Sequence, residues 1–208
     1  MTQKTIAVGA HGWQHPEWRD NYFPEDLPDD WQLDYYSHHF KVVLVPVSEW
    51  LQAGEDEIAQ WVKDVKEGFH FLFALEEQPC TAGLLEQLTL IRQITTVHFA
   101  GIVAKSPLVL TDNRQVEALK TLAPVYLDDT EYTGNEYAAC WRKDSMVENA
   151  VVGFISADQA TSIREIRILV EAFLAQSGQQ DELYLIFEGA SPSTKMMQDT
   201  DVVVQMLS

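Results

Sequence analysis

The sequence predicts an α/β fold of the TIM-barrel-like class, a (β/α) barrel that is irregular or incomplete and contains about seven βα units. Short apolar runs rich in β-branched residues alternate with segments of helical periodicity. The runs start about 25 to 36 residues apart, which is the length of one strand with its returning helix. The clearest runs are continuously apolar, as in a parallel sheet covered on both faces. The same pattern is compatible with an open, doubly wound sheet.

Seven strands are predicted in chain order. They begin near Thr5, Lys41, Phe69, His98, Pro124, Asn149 and Glu182. The runs VVLV at 42–45 and LYLIF at 183–187 show the buried-strand pattern most clearly. Residues 128–148 follow the fifth strand, are polar and lack clear periodicity, so we predict a long loop there.

The helices between the strands differ in the strength of their signals. Residues 55–67 predict a helix with one apolar face, formed by Ile58, Trp61, Val62 and Val65. Thr111 is expected to cap a helix that carries Val116 and Leu119. Asp158 is expected to start another, which Gly178 ends and whose apolar residues are Ile163, Ile166, Val170 and Phe173. A last helix is expected after Pro192.

Composition indicates one soluble domain over residues 1–208, since no linker or change of composition divides the chain. The 32 acidic and 14 basic residues give a net charge of -18, and the basic residues are scattered, which disfavours nucleic acid as a partner. No segment has the pattern of a signal peptide or a membrane span, so we expect a cytoplasmic protein that does not bind membranes. Cys80 and Cys140 are expected to be reduced, and the oligomeric state is unknown.

The first strand and the segment after it carry a recognisable block, VGAHGWQHPEWRDNYFPEDLPDDWQLDYYSHHFKVV, over residues 8–43. It resembles the opening of the DUF72 family, the YecE-like proteins, of which this chain is identified as a short and divergent member. The matching residues are Gly12, Trp13, Trp18, Arg19, Tyr22, Pro24, Leu27, Trp31, Tyr35, Tyr36 and Phe40. The resemblance implies a TIM-barrel-like fold and no established biochemical activity.

Beyond Phe40 the polar signatures of that family are largely replaced. A Glu-Ile-Asn-Ser-Thr-Phe-Tyr pattern after the second strand corresponds here to residues 44–50, which keep Ser48 and an aromatic residue, Trp50. A paired Asn after the last strand is replaced by Glu188 and Gly189. The comparison implies either a divergent member with a different ligand or one that has kept the scaffold and lost the site.

Barrel enzymes carry their working residues at the carboxyl ends of the strands. At those positions this sequence has His11, Ser48, Glu49, Glu76, Glu77, Lys105, Asp128, Asp129, Asp158 and Glu188. We predict catalytic roles for His11, Glu49, Lys105 and Asp128, as acids, bases or polar contacts. The same carboxylates would suit Mg²⁺ or Mn²⁺. They also suit helix N-caps and show no motif spacing, so no metal site is predicted.

A second set of candidates surrounds the first strand end. Ligand-binding roles are predicted for Trp13, His15, Trp18, Arg19, Trp50 and Glu188. Indoles stack on sugars and rings, and Arg19 suits a carboxylate or phosphate. The alternative for Trp13 and Trp18 is that they cap the barrel and anchor the loop. Trp141 and Arg142 are expected to pack locally, with a lid over the mouth as the alternative.

Two functions remain open on the sequence, beside a third, phosphodiester chemistry with divalent metals, that requires the acidic strand ends to meet within coordination distance. Whether the protein is an enzyme is also open. The first is binding of a small neutral or polyol-like metabolite at the strand ends, with hydrolytic or acid/base chemistry. The second is a non-catalytic interaction protein that presents an acidic surface to a basic partner. Dinucleotide, P-loop, serine-hydrolase and zincin motifs are missing, so any cofactor is unknown.

Overall fold

The computed structural model describes residues 4–19, 21–76, 80–110, 113–129, 131, 136–159 and 162–207. Within these residues nine strands pair in parallel in one sheet, in the order β6-β5-β4-β3-β2-β1-β9-β8-β7. The strands are β1 Thr5–His11, β2 Val42–Val45, β3 His70–Leu75, β4 Phe99–Ala104, β5 Val125–Leu127, β6 Ala138–Ala139, β7 Trp141–Arg142, β8 Val152–Ser156 and β9 Glu182–Glu188.

The two ends of this sheet meet in one short segment of the chain. Only Cys140 separates β6 from β7, and β6 pairs with β5 while β7 pairs with β8. The backbone N–H of Cys140 also donates to the carbonyl of Leu127. The segment 138–142 therefore joins both sheet ends and curls the sheet into a barrel, which confirms the predicted fold class.

The prediction of a long loop over residues 128–148 is wrong, because this segment contains β6 and β7. Each of these strands has only two residues, which is too short for a strand period to show in the sequence.

Helices follow the strands and cover the outside of the barrel. They are α1 Gln32–His39, α2 Val47–Trp50, α3 Glu55–Asp64, α4 Ala82–Thr95, α5 Asn113–Leu122, α6 Ile163–Gln176 and α7 Thr194–Leu207. One-turn 3-10 helices occupy Pro16–Trp18, Asp29–Trp31, Thr96–His98 and Pro107–Leu110. No helix in the described part of the chain is long and apolar enough to cross a membrane.

Two helix predictions can be compared with these bounds. The apolar face predicted over 55–67 is confirmed, since Ile58 and Trp61 of α3 are buried in the core. The predicted start at Asp158 is wrong. Ser162 caps α6 instead, because its hydroxyl accepts the backbone N–H of Glu165, as in a capping box. The proposed cap Thr111 lies outside the described residues.

Apolar side chains fill both sides of the barrel wall. The outer cluster packs the sheet against the helices, and the inner cluster fills the barrel itself. The inner cluster contains Ala7, Val42, Leu44, Leu72, Ala74, Val103, Tyr126, Cys140, Val151, Val152, Phe154, Tyr184 and Ile186. Since side chains alternate along a strand, the next inward-facing residues of each strand lie above and below the inner cluster, at the two ends of the barrel.

Candidate functional site

Strand alternation creates a polar layer at the carboxyl end of the barrel, which we call the mouth. Its members stand two residues after an inner-cluster residue or, for His11, four residues after Ala7. They are His11, Glu76, Lys105, Asp128, Arg142, Ser156 and Glu188. The structure therefore brings four predicted site residues, His11, Lys105, Asp128 and Glu188, into one layer. Glu77 lies outside the described residues.

Four of these side chains form a closed charge network. The guanidinium of Arg142 binds Asp128 through two contacts, Nε–Oδ1 and Nη2–Oδ2, each of 2.7 Å. It also donates to both carboxylate oxygens of Glu188. The Lys105 ammonium lies 2.8 Å from Oδ2 of Asp128 and 3.0 Å from Oε2 of Glu188. Each cation thus contacts both anions, and the network is internally neutral.

The two cations of the network lie over an aromatic ring, and they keep Glu188 ionised. Nζ of Lys105 lies 4.0 Å from the centre of the Phe154 ring, and Cζ of Arg142 lies 4.8 Å from it. Burial opposes ionisation of Glu188, but the hydrogen bonds from Arg142 and the charge of Lys105 outweigh it and lower its pKa to about 2. A charged Glu188 is therefore a fixed part of the mouth at neutral pH.

On the other side of the mouth, His11 faces Glu76. Nε2 of His11 lies 3.1 Å from Oε1 of Glu76, and both side chains are 22% exposed. The contact lacks hydrogen-bond alignment, since Nε2 of His11 has no hydrogen-bond partner among the described residues. The contact with His11 is the main cause that lowers the pKa of Glu76, against the effect of burial. The imidazole of His11 therefore faces a carboxylate whose ionised form is favoured.

Glu49 lies behind this pair, on α2. One of its oxygens, Oε2, is buried and has no hydrogen-bond partner among the described residues. Burial, together with the charges of Glu57 and Glu76, raises the pKa of Glu49 to about 7. Glu49 is thus a carboxyl group that can carry a proton at neutral pH, close to Glu76.

A cavity of about 500 Å³ opens at the mouth between β1, β8 and β9. Its lining consists of His11, Ser156, Ala157, Asp158, Glu188 and Gly189. In TIM barrels the loops at this end of the strands form the active site. The lining offers one imidazole, one hydroxyl and two carboxyl groups.

The loop after β1 is fastened to the loop after β9, beside this cavity. The His15 ring lies between two carbonyl oxygens, with Nε2 at 3.1 Å from that of His11 and Nδ1 at 3.3 Å from that of Ala190. The indole N–H of Trp18 donates to the carbonyl of Pro192 at 2.8 Å. These contacts fix the relative position of the two loops.

The structure does not bring the three predicted tryptophans to the mouth cavity. Trp13 packs edge-on against Trp61, Trp18 stacks on Tyr36, and Trp50 donates its indole N–H to the carbonyl of Ala74. All three predicted residues belong to the outer core cluster, a placement that favours their structural alternative.

Arg19 is also apart from the mouth. It is exposed and pairs with Asp29 at 2.6 Å beside a separate cavity of about 130 Å³ that His15 also lines.

Arg142, Glu76 and Ser156 complete the mouth although the sequence did not predict site roles for them. Arg142 is the most informative of these, because it binds both anions of the network. In the structure Trp141 points outward against Phe173, and its neighbours Cys140 and Arg142 point inward. The expectation that Trp141 packs locally agrees with this arrangement.

Among the described residues, no group of three or more His, Cys, Asp and Glu side chains is placed to hold a metal ion. The carboxylates of Asp128 and Glu188, which would be the natural oxygen ligands, already face two cations.

Comparison with known proteins supports the fold assignment. Residues 7–97 match the family model described as "Protein of unknown function DUF72". A DUF72 family protein from Enterococcus faecalis V583 has a TM-score of 0.65 and 15% identity, over 97% of this chain and 96% of that one. A DUF72 family protein from Thermotoga maritima MSB8 has a TM-score of 0.62 and 12% identity, over 98% and 99%. None of the curated proteins matches the sequence. The resemblance carried by the Gly12-Trp13 block is thereby confirmed.

Proposed function

Because this chain is a divergent DUF72 barrel, whose family name carries no activity, we propose from its own geometry that it binds a small, uncharged, polyol-like metabolite at the mouth. The observation that carries the proposal is the cavity of about 500 Å³ at the strand ends, with His11 of the His11–Glu76 pair on its wall. Pockets of this size suit metabolites, and convergent polar groups give them their specificity.

The charges around the cavity favour an uncharged ligand. Lys105 and Arg142 are both saturated by Asp128 and Glu188, so neither presents a free cation to an anionic group. The remaining lining contributes carboxyl groups, and the whole chain has a net charge of -18, which repels anions. Hydroxyl groups, in contrast, can donate to carboxylates and accept from the hydroxyl of Ser156.

The same geometry supports acid/base chemistry on a ligand hydroxyl. His11 is the group that would exchange a proton with the ligand, since its imidazole lines the cavity. Glu76 would position the ring and stabilise its protonated form. Glu49, with its pKa raised to about 7 by burial, would supply a proton nearby. A hydrolytic or isomerising reaction needs such a set of groups.

A non-catalytic scaffold is the second candidate, and one observation favours it. The two cations and two anions of the charge network pair with one another, which is also what a structural plug at the end of a barrel would do. In that case the acidic surface would bind a basic protein partner, and the mouth would be inert.

A thermal-shift screen separates these two functions. The intact protein, His11→Ala and the matched control His38→Ala are heated with a panel of sugars and polyols, and separately with Mg²⁺ and Mn²⁺. A ligand at 100 times its Kd stabilises the folded state by about 2.7 kcal/mol. We expect a polyol to stabilise the intact protein and His38→Ala but not His11→Ala. His38 lies on α1, and its Nδ1 contacts the carbonyl of Asp34 within the same helix turn. No response to any polyol favours the scaffold, and a response to metal alone favours a metal-dependent site.

A further inference from the structure

A second cavity lies at the opposite end of the barrel, where the strands begin. Its volume is about 280 Å³, which suits a ligand smaller than the one proposed for the mouth. The part of its lining that matters here is formed by Ala7, Lys41, Glu67, His70, Glu182 and Tyr184. We call it the basal cavity.

The apolar part of the basal cavity follows from the register of β1 and β9. Ala7 and Tyr184 are direct neighbours across these two strands, and both face the barrel interior. A methyl group beside a phenol ring leaves space that a larger residue at position 7 would fill. The His70 ring stands edge-on to the Tyr184 ring, with 5.4 Å between the centres and 64° between the planes. The floor of the cavity is therefore small, apolar and aromatic.

Hydrogen-bond acceptors are concentrated at the polar end of this cavity. The Tyr184 hydroxyl donates to Oε2 of Glu182 at 3.2 Å and so orients that carboxylate. Nε2 of His70 lies 3.8 Å from the same oxygen, beyond hydrogen-bond distance. Burial lowers the pKa of His70, although Glu182 opposes this effect, so the neutral imidazole, which has one acceptor nitrogen, is favoured.

The charged residues that line the basal cavity favour a positively charged ligand. Glu67 and Glu182 contribute two carboxylates against the single ammonium of Lys41. The net charge of -18 adds a field that attracts cations to any cleft of this surface. An aromatic ring beside the carboxylates gives further attraction for an ammonium group.

We propose that the basal cavity binds a small primary amine in its ammonium form. The ammonium group donates to the carboxylate of Glu182 and to the imidazole of His70. The apolar body of the amine lies against Ala7 and the ring of Tyr184. This site is independent of the mouth, so it stands whether or not the mouth binds a polyol.

Benzylamine is a suitable probe, with benzyl alcohol as its uncharged isostere and benzoate as its anionic counterpart. Each is titrated into the full-length protein at neutral pH and low salt, and binding is followed by backbone amide shifts. We expect saturable shifts with benzylamine at the starts of β1, β3 and β9, and binding at least about tenfold weaker for the alcohol, since one charge-assisted hydrogen bond is at stake. Equal binding of the alcohol, no saturable amine binding, or shifts confined to the mouth would overturn the proposal.

Variants test the assignment of the residues. Glu182→Gln keeps an acceptor for Tyr184 but removes the charge, and should weaken benzylamine binding about tenfold. Glu25→Gln is the matched control, because it makes the same charge change at an exposed position in the loop before α1. Ala7→Leu should abolish binding by filling the floor. His11→Ala should leave amine binding unchanged. If Glu25→Gln weakens benzylamine binding as much as Glu182→Gln does, the weakening comes from the change in net charge. That result would contradict the assignment of Glu182 to the binding site.

Discussion

Replacement of Arg142 by Met should remove much of the stability that the charge network of the mouth provides. The guanidinium binds Asp128, whose side chain is 5% exposed, and Glu188, whose side chain is 18% exposed. Holding the pKa of Glu188 at about 2 instead of 4.5 corresponds to about 3 kcal/mol of folding free energy at neutral pH. In Arg142→Met, Lys105 still contributes part of this free energy, but the carboxylate of Asp128 then contacts one cation instead of two. We expect Arg142→Met to cost about 3 kcal/mol.

The cost should depend on pH in a defined direction. A carboxyl group whose pKa is lower in the folded than in the unfolded state stabilises the fold above its unfolded pKa, and this contribution is lost as pH falls towards the folded pKa. For Glu188 the window runs from 4.5 down to about 2. The intact protein therefore loses this contribution on acidification, whereas Arg142→Met has already lost the part that Arg142 provides. The difference in stability between the two proteins should shrink as pH falls below 4.5.

Urea denaturation followed by circular dichroism at several pH values measures this difference. The matched control is Arg167→Met, because Arg167 is exposed on α6 and forms a helical pair with Glu171 worth about 0.3 to 0.5 kcal/mol. A cost for Arg142→Met no larger than that of the control would refute the network as a stabilising unit. A cost that stays constant on acidification would refute the assignment to Glu188.

Two further predictions concern positions near the mouth. Burial raises the pKa of Glu49 from 4.5 to about 7, so ionisation of Glu49 destabilises the folded state as pH rises through that range. In urea denaturation, Glu49→Gln should therefore have a free energy of unfolding about 2 kcal/mol higher than the intact protein above pH 7. Below pH 4.5 the two proteins should differ little. An equal effect at both pH values would contradict the buried carboxyl. A Cβ on Gly9 would lie 1.8 Å from the carbonyl oxygen of Val42, so Gly9→Ala should lower the free energy of unfolding by about 3 kcal/mol or more. Gly54 has open space around it, so Gly54→Ala should have little effect in the same measurement. Similar stability of the two alanine variants would show that β1 and β2 can separate at this point.

The sequence predicts the barrel well where strands are long enough to show a pattern. Continuous apolar runs identify β2 and β9, and the apolar face of α3 follows from residue spacing. The same reasoning finds Lys105, Asp128 and Glu188, because each directly follows or ends an apolar strand.

What the sequence cannot provide is the pairing of distant, short segments. Arg142 lies in a two-residue strand, β7, which pairs with a strand distant in sequence, so no local pattern marks Arg142 as an inward residue. The tryptophans illustrate the opposite difficulty. Trp18 lies close in sequence to His11, yet the path of the loop turns its ring into the core, where it meets Tyr36 and Pro192. Proximity along the chain does not determine which way a loop side chain faces.

Calorimetric titration of the best polyol from the screen tests the proposed role of the mouth most directly. The titration is made into the intact protein, into His11→Ala and into His38→Ala. We expect saturable binding to the intact protein, unchanged affinity in His38→Ala and at least about tenfold weaker binding in His11→Ala, as loss of one hydrogen bond to a ligand hydroxyl implies. Equal affinity of His11→Ala and the intact protein, or no binding of any polyol, would contradict the proposal.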